Sequence, residues 1–303
     1  MQPNPPGWAG LQPTDSGRWS VTQRLEFIEV TLYWRGRINR AELVNQYQIS
    51  YPQASGDLQK YLEIADGGVM YDTSLKAYIP TPTFSPKLVK PNADRFLLQM
   101  LGWRRGILQR SDVSPNEPPP FDELPVPRRV INPDVLRVVT QSITNNRKIS
   151  VLYQSMTRPA PTWREISPHS LAFDRQRWHV RAYCHEHRAF RDFVLTRIFE
   201  IKDVSSSEIA PATDEAWDAR VVVKIAPHPG LTADQKTAIA MDFGMTDSVA
   251  ELPVRAAMLF YLMRAMRWTG TSDRPPIEQQ VVVVNRSEVE AVMKKYTPDF
   301  RST

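Results

Sequence analysis

Apolar positions recur at helical spacing three times within the first third of the chain. In RWSVTQRLEFIEVTLYWRG, Leu25, Ile28, Val30 and Leu32 repeat near a 3.6-residue period, which predicts a helix beginning at Trp19. Gly36 stands where such a helix should stop. NRAELVNQYQIS puts Leu43, Val44 and Tyr47 on one face, with Asn39 as a plausible N-cap. Ser50 can cap a third helix whose first turn holds Pro52, where a missing N–H costs nothing. In SYPQASGDLQKYLEIA the buried side is expected to be Ala54, Leu58 and Leu62, with Tyr61 beside them. Two short strand-like runs, VMYD and LKAYIP, then enclose a tight turn.

Three helices and a small hairpin in about seventy residues match the plan of a winged helix-turn-helix, in which the third helix enters the major groove. The expected outward set here is Ser50, Tyr51, Gln53, Ser55, Gln59 and Lys60. Gln can pair bidentately with adenine and Ser can contact several bases. Lys60 also suits phosphates, as do Arg37, Arg40 and, on the wing, Lys76. The competing reading is a helical scaffold whose polar face meets only water.

Residues 85–128 hold one helical run, NADRFLLQMLGWRRGIL, and then SDVSPNEPPPFDELPVPRR, whose proline density marks an extended linker and a domain boundary. A helix is expected from Asn132 to about Thr144. Four strand-like runs come next: KISVLYQS, TWREISPHSLAFD, RWHVRAYCHEH and AFRDFVLTRIFEIKDV. Trp178, Val180 and Ala182 alternate with His179, Arg181 and Tyr183. Arg191, Phe193, Leu195 and Arg197 alternate with Asp192 and Val194. DRQ at 174–176 and EHR at 186–188 supply hairpin turns, and consecutive short antiparallel strands favour a small barrel. The last hundred residues read as strand (ARVVVKIAP), helix (TADQKTAIAMDFG), helix (PVRAAMLFYLMRAMRW), strand (QQVVVVN) and helix (RSEVEAVMKKY), a compact mixed layer. The second of those helices is apolar enough to serve mainly as core and partly as a dimer interface.

Charge sharpens the division. Net charge is +5 over 303 residues, but residues 128–202 carry 14 Lys and Arg against six Asp and Glu. Residues 111–127 carry four acids and no base. A middle region this basic suits a polyanionic partner, nucleic acid first, although a merely solvated basic surface has the same composition. One cysteine, Cys184, rules out an internal disulfide framework and fits a reducing compartment. The Pro- and Gly-rich first 17 residues read as a disordered tail, neither signal peptide nor anchor. No apolar run reaches membrane-span length, so the expected location is the cytoplasm, at the nucleoid. The run CHEH at 184–187 invites a metal, yet lacks a second Cys/His pair at suitable spacing. Phosphate-loop, dinucleotide, HExxH and GxSxG motifs are absent, so neither an enzyme nor a cofactor is expected.

At TWREISPHSLAFDRQRWHVRAYCHEHRAFRDFVLTRI the chain resembles the WYL domain family. RDFVLTRI at 191–198 matches the family's arginine-aromatic run, while the naming tripeptide stands here as Trp178-His179-Val180. VLYQSM, WREISPHSLAFD and RWHVRAYC resemble the repressors encoded beside anti-phage systems such as BREX and CBASS. The resemblance implies an α+β multidomain chain: a winged helix-turn-helix at 18–84, a linker at 85–128, a WYL domain of Sm-like (SH3-type) barrel form at 129–210, and an α/β dimerisation extension at 211–303. It also implies a homodimer that represses a defence operon by binding a double-stranded operator, with a nucleic-acid or nucleotide effector at the WYL domain. The effector candidates are Tyr153, Ser155, Arg164, His169, Tyr183, Arg191 and Arg197, which combine charge-assisted donors, hydroxyls and aromatic faces. Structural roles compete for several of them. Arg197 could pair with Asp192 or Glu165, His169 could be a satisfied core histidine, and the two tyrosines could be plain core. A non-operator nucleic-acid adaptor of a defence or DNA-damage complex is the alternative function.

Overall fold

The structure, a computed structural model, describes residues 20–109, 113, 118–125, 127, 129–268 and 274–296. The expected tail at 1–17 and the helix start at Trp19 lie outside them. Two compact units divide the chain, Met1–Val126 and Pro127–Thr303.

In the first unit, α1 (Val21–Arg35) is capped by Ser20, whose side chain accepts the Gln23 N–H while Gln23 answers the Ser20 backbone. It ends at Gly36, which takes φ 72°, a left-handed conformation that costs glycine nothing. Asn39 and Ser50 cap α2 (Arg40–Tyr47) and α3 (Tyr51–Ala65), as their residue types predict. Strands β1 (Val69–Asp72) and β2 (Ala77–Pro80) pair antiparallel, and Ile38 adds a short bridge to Tyr78. The core joins Phe27, Ile28, Leu32, Ile38, Leu43, Ala54, Leu58 and Tyr61. Helix α4 (Ala93–Arg104) packs on α1 through Phe96, stacked on Trp34 at 4.4 Å and 7°.

Helix α3 departs from its expected inner face. Leu62 is only half-buried, while Asp57 is buried. Periodicity alone assigns the inner stripe to apolar residues, and an acid enters it only where a tertiary partner neutralises it.

The second unit opens with α5 (Pro133–Thr144) and a five-stranded antiparallel sheet ordered β6-β5-β4-β3-β7. The strands are β3 (Arg147–Tyr153), β4 (Thr162–Phe173), β5 (Trp178–Cys184), β6 (Ala189–Val194) and β7 (Ile198–Ser206). The expected fourth run is therefore two strands. A 3-10 turn at Leu195–Arg197 breaks it, and β7 crosses back to pair with β3. The turns at 174–176 and 186–188 join paired strands as expected. One-sided alternation fails in β5, where His179 to Ala182 are all buried. Val180 and Ala182 face the core that α5 covers, and His179 and Arg181 are covered by later chain.

A short helix, α6 (Glu215–Asp218), leads into β8 (Arg220–Pro227), α7 (Ala233–Asp242), β9 (Ala250–Arg255), α8 (Ala256–Ala265), β10 (Val281–Val283) and α9 (Arg286–Tyr296). The three strands lie in the order β10-β8-β9. Here PVR at 253–255 is strand, not helix, and α8 begins only at Ala256. Pro253 is tolerated because β9 is an edge strand. Leu259 and Met263 of α8 point into this unit's second core. No described helix is long and apolar enough to cross a membrane.

Candidate nucleic-acid interface and anion cavity

The sequence-predicted DNA residues occupy α3 and its surroundings. Tyr51 is 56% exposed, and Gln53, Gln59 and Lys60 are exposed beside it. Ser50 and Ser55 are tied locally. Ser50 Oγ accepts the Gln53 N–H at 3.3 Å, and Ser55 Oγ donates to the Tyr51 carbonyl at 3.0 Å. Arg40, at the start of α2, is exposed and reaches Ser55 Oγ at 3.4 Å, so it flanks the same helix end. Arg37 is exposed before the Ile38 bridge, and exposed Lys76 sits at the wing turn with φ 49°. The free N–H groups of a helix start favour an anion, which suits a phosphate at this end.

Two buried carboxylates, which sequence reading missed, hold α3 from behind. Asp57 receives Arg24 in a bidentate pair, 2.7 Å from Nε and 3.1 Å from Nη2. Glu29, 1% exposed, accepts the Tyr61 hydroxyl at 3.0 Å and the backbone N–H groups of Lys87, Leu88 and Val89 at 2.6–2.7 Å. Burial and the Glu29 charge push the Tyr61 phenol up, so it stays a donor. An acid on α1 thus binds α3 and the strap before α4 together. Nothing in a single sequence marks Glu29 or Asp57 apart from surface acids.

In the second unit a cavity of about 310 Å³ opens between the end of β3, the start of β4 and strand β6. Five of the seven effector candidates line it: Tyr153, Ser155, Arg164, Arg191 and Arg197. It also takes in Arg158, His187, Asp192 and Phe193, which were not singled out. Phe193 was legible in the arginine-aromatic run. Arg158 arrives on the loop after β3, and no local pattern announces it. The Arg164 guanidinium lies over the Tyr153 ring at 5.7 Å, and Phe193 meets Tyr153 edge to face at 5.1 Å. Among the described residues no carboxylate lies within ion-pair distance of Arg191 or Arg197. Arg197 therefore makes no pair with Asp192 or Glu165.

The two remaining candidates stand outside this lining. His169 donates from Nε2 to Asp214 at 3.0 Å and meets the Ser170 hydroxyl through Nδ1 at 3.1 Å, and its side chain is 4% exposed. It is a satisfied core histidine. Tyr183 packs edge to face on His185 and Phe190.

The structure does gather Cys184, Glu186 and His187, with possible ligand atoms within 4.8 Å of one another. The surroundings oppose a cation. Glu186 is held by Arg158 at 2.6 Å and faces Arg164 at 3.8 Å, and the Arg158 hydrogen bond keeps its carboxyl below the usual range. Burial and the nearby Arg191 lower His187, so it is neutral at pH 7. Several planar forks in a partly enclosed space, with aromatic faces beside them, suit an anion better than a cation. A larger groove of about 620 Å³ in the first unit, walled by Phe27, Trp34, Tyr47 and Phe96, mixes Glu26 and Glu29 with Lys90 and Arg95.

Behind the cavity a buried polar network runs toward the C-terminal elements. Arg181 is bidentate to Asp214, at 2.7 and 3.0 Å, and contacts Asp192 at 3.2 Å. Burial works against ionisation of Asp214, but hydrogen bonds from His169 and Arg181 hold its pKa down at about 2. Asp214 also caps α6.

Comparison with known proteins agrees with this layout. Residues 20–102 match the BrxR transcriptional regulator winged helix-turn-helix domain, 134–203 the WYL domain, and 220–289 the BrxR transcriptional regulator C-terminal dimerization domain. Over 92% of its length the chain is 38% identical to the DNA-binding transcriptional repressor CapW of Stenotrophomonas maltophilia, covering 94% of that protein. It is 36% identical to CapW of Pseudomonas aeruginosa over 93% of this chain and 96% of that one. For CapW of Escherichia coli the identity is 33% over 92% and 93%. With its winged-helix, WYL and dimerization domains in that order, the chain belongs to the family of the CapW repressors.

Proposed function

We propose that this protein is a homodimeric, DNA-binding transcriptional repressor without catalytic activity, working in the cytoplasm and controlling an anti-phage defence operon. Helix α3 reads the major groove through Tyr51, Gln53, Ser55 and Gln59, with Ser50 at its start, while Arg37, Arg40, Lys60 and Lys76 hold phosphates. The observation that carries this reading is the division of α3. Its exposed side holds Tyr51, Gln53, Gln59 and Lys60, and its inner side is locked to α1 through Asp57 and Tyr61. The five-stranded antiparallel sheet, whose edge strands β6 and β7 are joined by the 3-10 turn, would serve as the frame of an Sm-like barrel. Its arginine cavity takes a phosphate-bearing effector, a nucleotide or nucleic-acid end, with Tyr153, Ser155, Arg164, Arg191 and Arg197 as contacts. Effector and operator then affect each other by one coupling factor, about 5- to 150-fold in typical systems.

A mobility-shift titration on the DNA upstream of its own gene tests the repressor reading. At physiological salt the protein should prefer that DNA to random duplex by roughly 10³-fold or more. The triple variant Gln53→Ala, Ser55→Ala, Lys60→Ala should lose the preference. Full affinity in that variant rejects α3 as the reading helix. Purely salt-dependent binding without preference favours the adaptor alternative.

A further inference from the structure

Arg164 is a buried guanidinium with little to hold. Its side chain is 7% exposed, yet among the described residues its one hydrogen bond runs from Nε to Thr162 Oγ1 at 3.4 Å. The one carboxylate within ion-pair distance of it, Glu186, stands 3.8 Å from Nε, inside Coulomb reach and outside hydrogen-bond distance. Arg181 of β5 shows the ordinary alternative, since it is saturated by Asp214 and Asp192. A buried charge is normally paired and hydrogen-bonded, so underused donors beside a cavity are a place for an incoming anion.

Glu186 already stands near that place. It belongs to the short β5–β6 turn, and its Oε1 accepts from Arg158 Nη2 at 2.6 Å while its Oε2 is the atom facing Arg164. One carboxylate thus bridges two guanidiniums of the cavity lining. Its hold is light. The Arg158 and Glu186 side chains are 38% and 40% exposed, and water competes at both ends of so exposed a pair. A phosphate group carries more acceptor oxygens than a carboxylate and suits the same planar forks.

We propose that Glu186 is a built-in stand-in for the effector, whose carboxylate occupies Arg158 and Arg164 until a phosphate group of the ligand exchanges with it. The proposal rests on the effector reading of the cavity and adds its internal competitor. Exchange moves one exposed side chain of a turn and leaves the sheet beneath it untouched. By reciprocity, whatever holds Glu186 on Arg158 weakens ligand binding by the same factor as ligand weakens that contact.

Calorimetric titration of the full-length protein with pyrophosphate tests this in wild type, Arg191→Ala and Glu186→Gln, together with a crystal structure of the wild-type protein holding pyrophosphate. Glutamine keeps the size of the side chain at an exposed position, so the fold should be retained. Glu186→Gln should tighten binding roughly two- to fivefold, the scale of one exposed ion pair. In the complex a phosphate oxygen should sit on Arg158, with the Glu186 carboxylate turned away from it. Equal affinity in wild type and Glu186→Gln overturns the stand-in. So does a complex in which Glu186 still holds Arg158 beside bound pyrophosphate, because any gain in Glu186→Gln is then only the effect of a removed charge on the local field. Both results leave the effector reading intact where Arg191→Ala abolishes binding. Pyrophosphate ignored by wild type and Glu186→Gln alike, or bound indifferently to Arg191→Ala, overturns the effector reading and the stand-in with it.

Discussion

Arg24 and Asp57 form a bidentate ion pair across the contact between α1 and α3, with both side chains 4% exposed. A pair this buried is weak evidence of net stabilisation, because both charges lose their water, but breaking it strands the survivor. Arg24→Ala or Asp57→Ala is therefore expected to destabilise the first unit by about 3–5 kcal/mol, read as a lower urea midpoint. The paired replacement Arg24→Met/Asp57→Leu should lose far less. If each single variant unfolds like wild type, the pair is not what sets α3 against α1.

Glu29 makes a different kind of anchor. Glu29→Ala leaves the Tyr61 hydroxyl and the N–H groups of Lys87, Leu88 and Val89 without their acceptor. Each buried group so orphaned costs about 1–3 kcal/mol, less where water reaches it. Hydrogen exchange should speed up at those three amides first, before the core of α3. Unchanged protection there would show that the strap is held by packing alone.

Acid stability of the second unit should depend on Asp214. Its folded pKa of about 2 lies below the ordinary 3.8, so its contribution is present above pH 4 and is lost as pH falls from 4 toward 2. The shift corresponds to about 2 kcal/mol. Asp214→Asn should flatten the pH dependence of unfolding over that window. An equally steep acid transition in the variant would assign it to other groups.

At the DNA face, phosphate and base contacts separate by salt. Lys60→Ala should weaken binding across all sequences and reduce the slope of log affinity against log salt by about 0.9. Gln53→Ala should leave the slope alone and reduce discrimination at one base pair by about 1–3 kcal/mol. Reversed behaviour in quantitative footprinting would exchange the roles given to the two side chains.

For the cavity, Arg191→Ala/Arg197→Ala should abolish pyrophosphate binding while leaving operator affinity in its absence near wild type. Loss of operator binding in the unliganded variant would make these arginines part of the DNA interface instead.

The helix caps of the first unit were legible residue by residue. Ser50, Asn39 and Gly36 act through their own short side chains or lack of one, so local sequence suffices. The arginine-aromatic run at 191–197 was legible as a candidate site for a similar reason, because its members reach the cavity together from β6 and the turn that follows. His169 and Tyr183 share the same residue chemistry but not its location. Alternation along β4 and β5 cannot say which end of a sheet a cavity occupies. The break between β6 and β7 was missed because a 3-10 turn of Leu, Thr and Arg keeps the composition of a strand.

By itself the sequence determined how the helices of the first unit are capped, which stretch is basic, and which side chains on α3 are polar. These properties depend on residues within a turn or two of one another, and their physics is local. Only the tertiary structure decided which acids are buried, since Glu29, Asp57 and Asp192 look like any surface carboxylate until partners 32, 33 and 69 positions away supply the donors that make burial affordable. Desolvating a charge is tolerable only where hydrogen bonds compensate it, and those bonds exist only once distant segments have met.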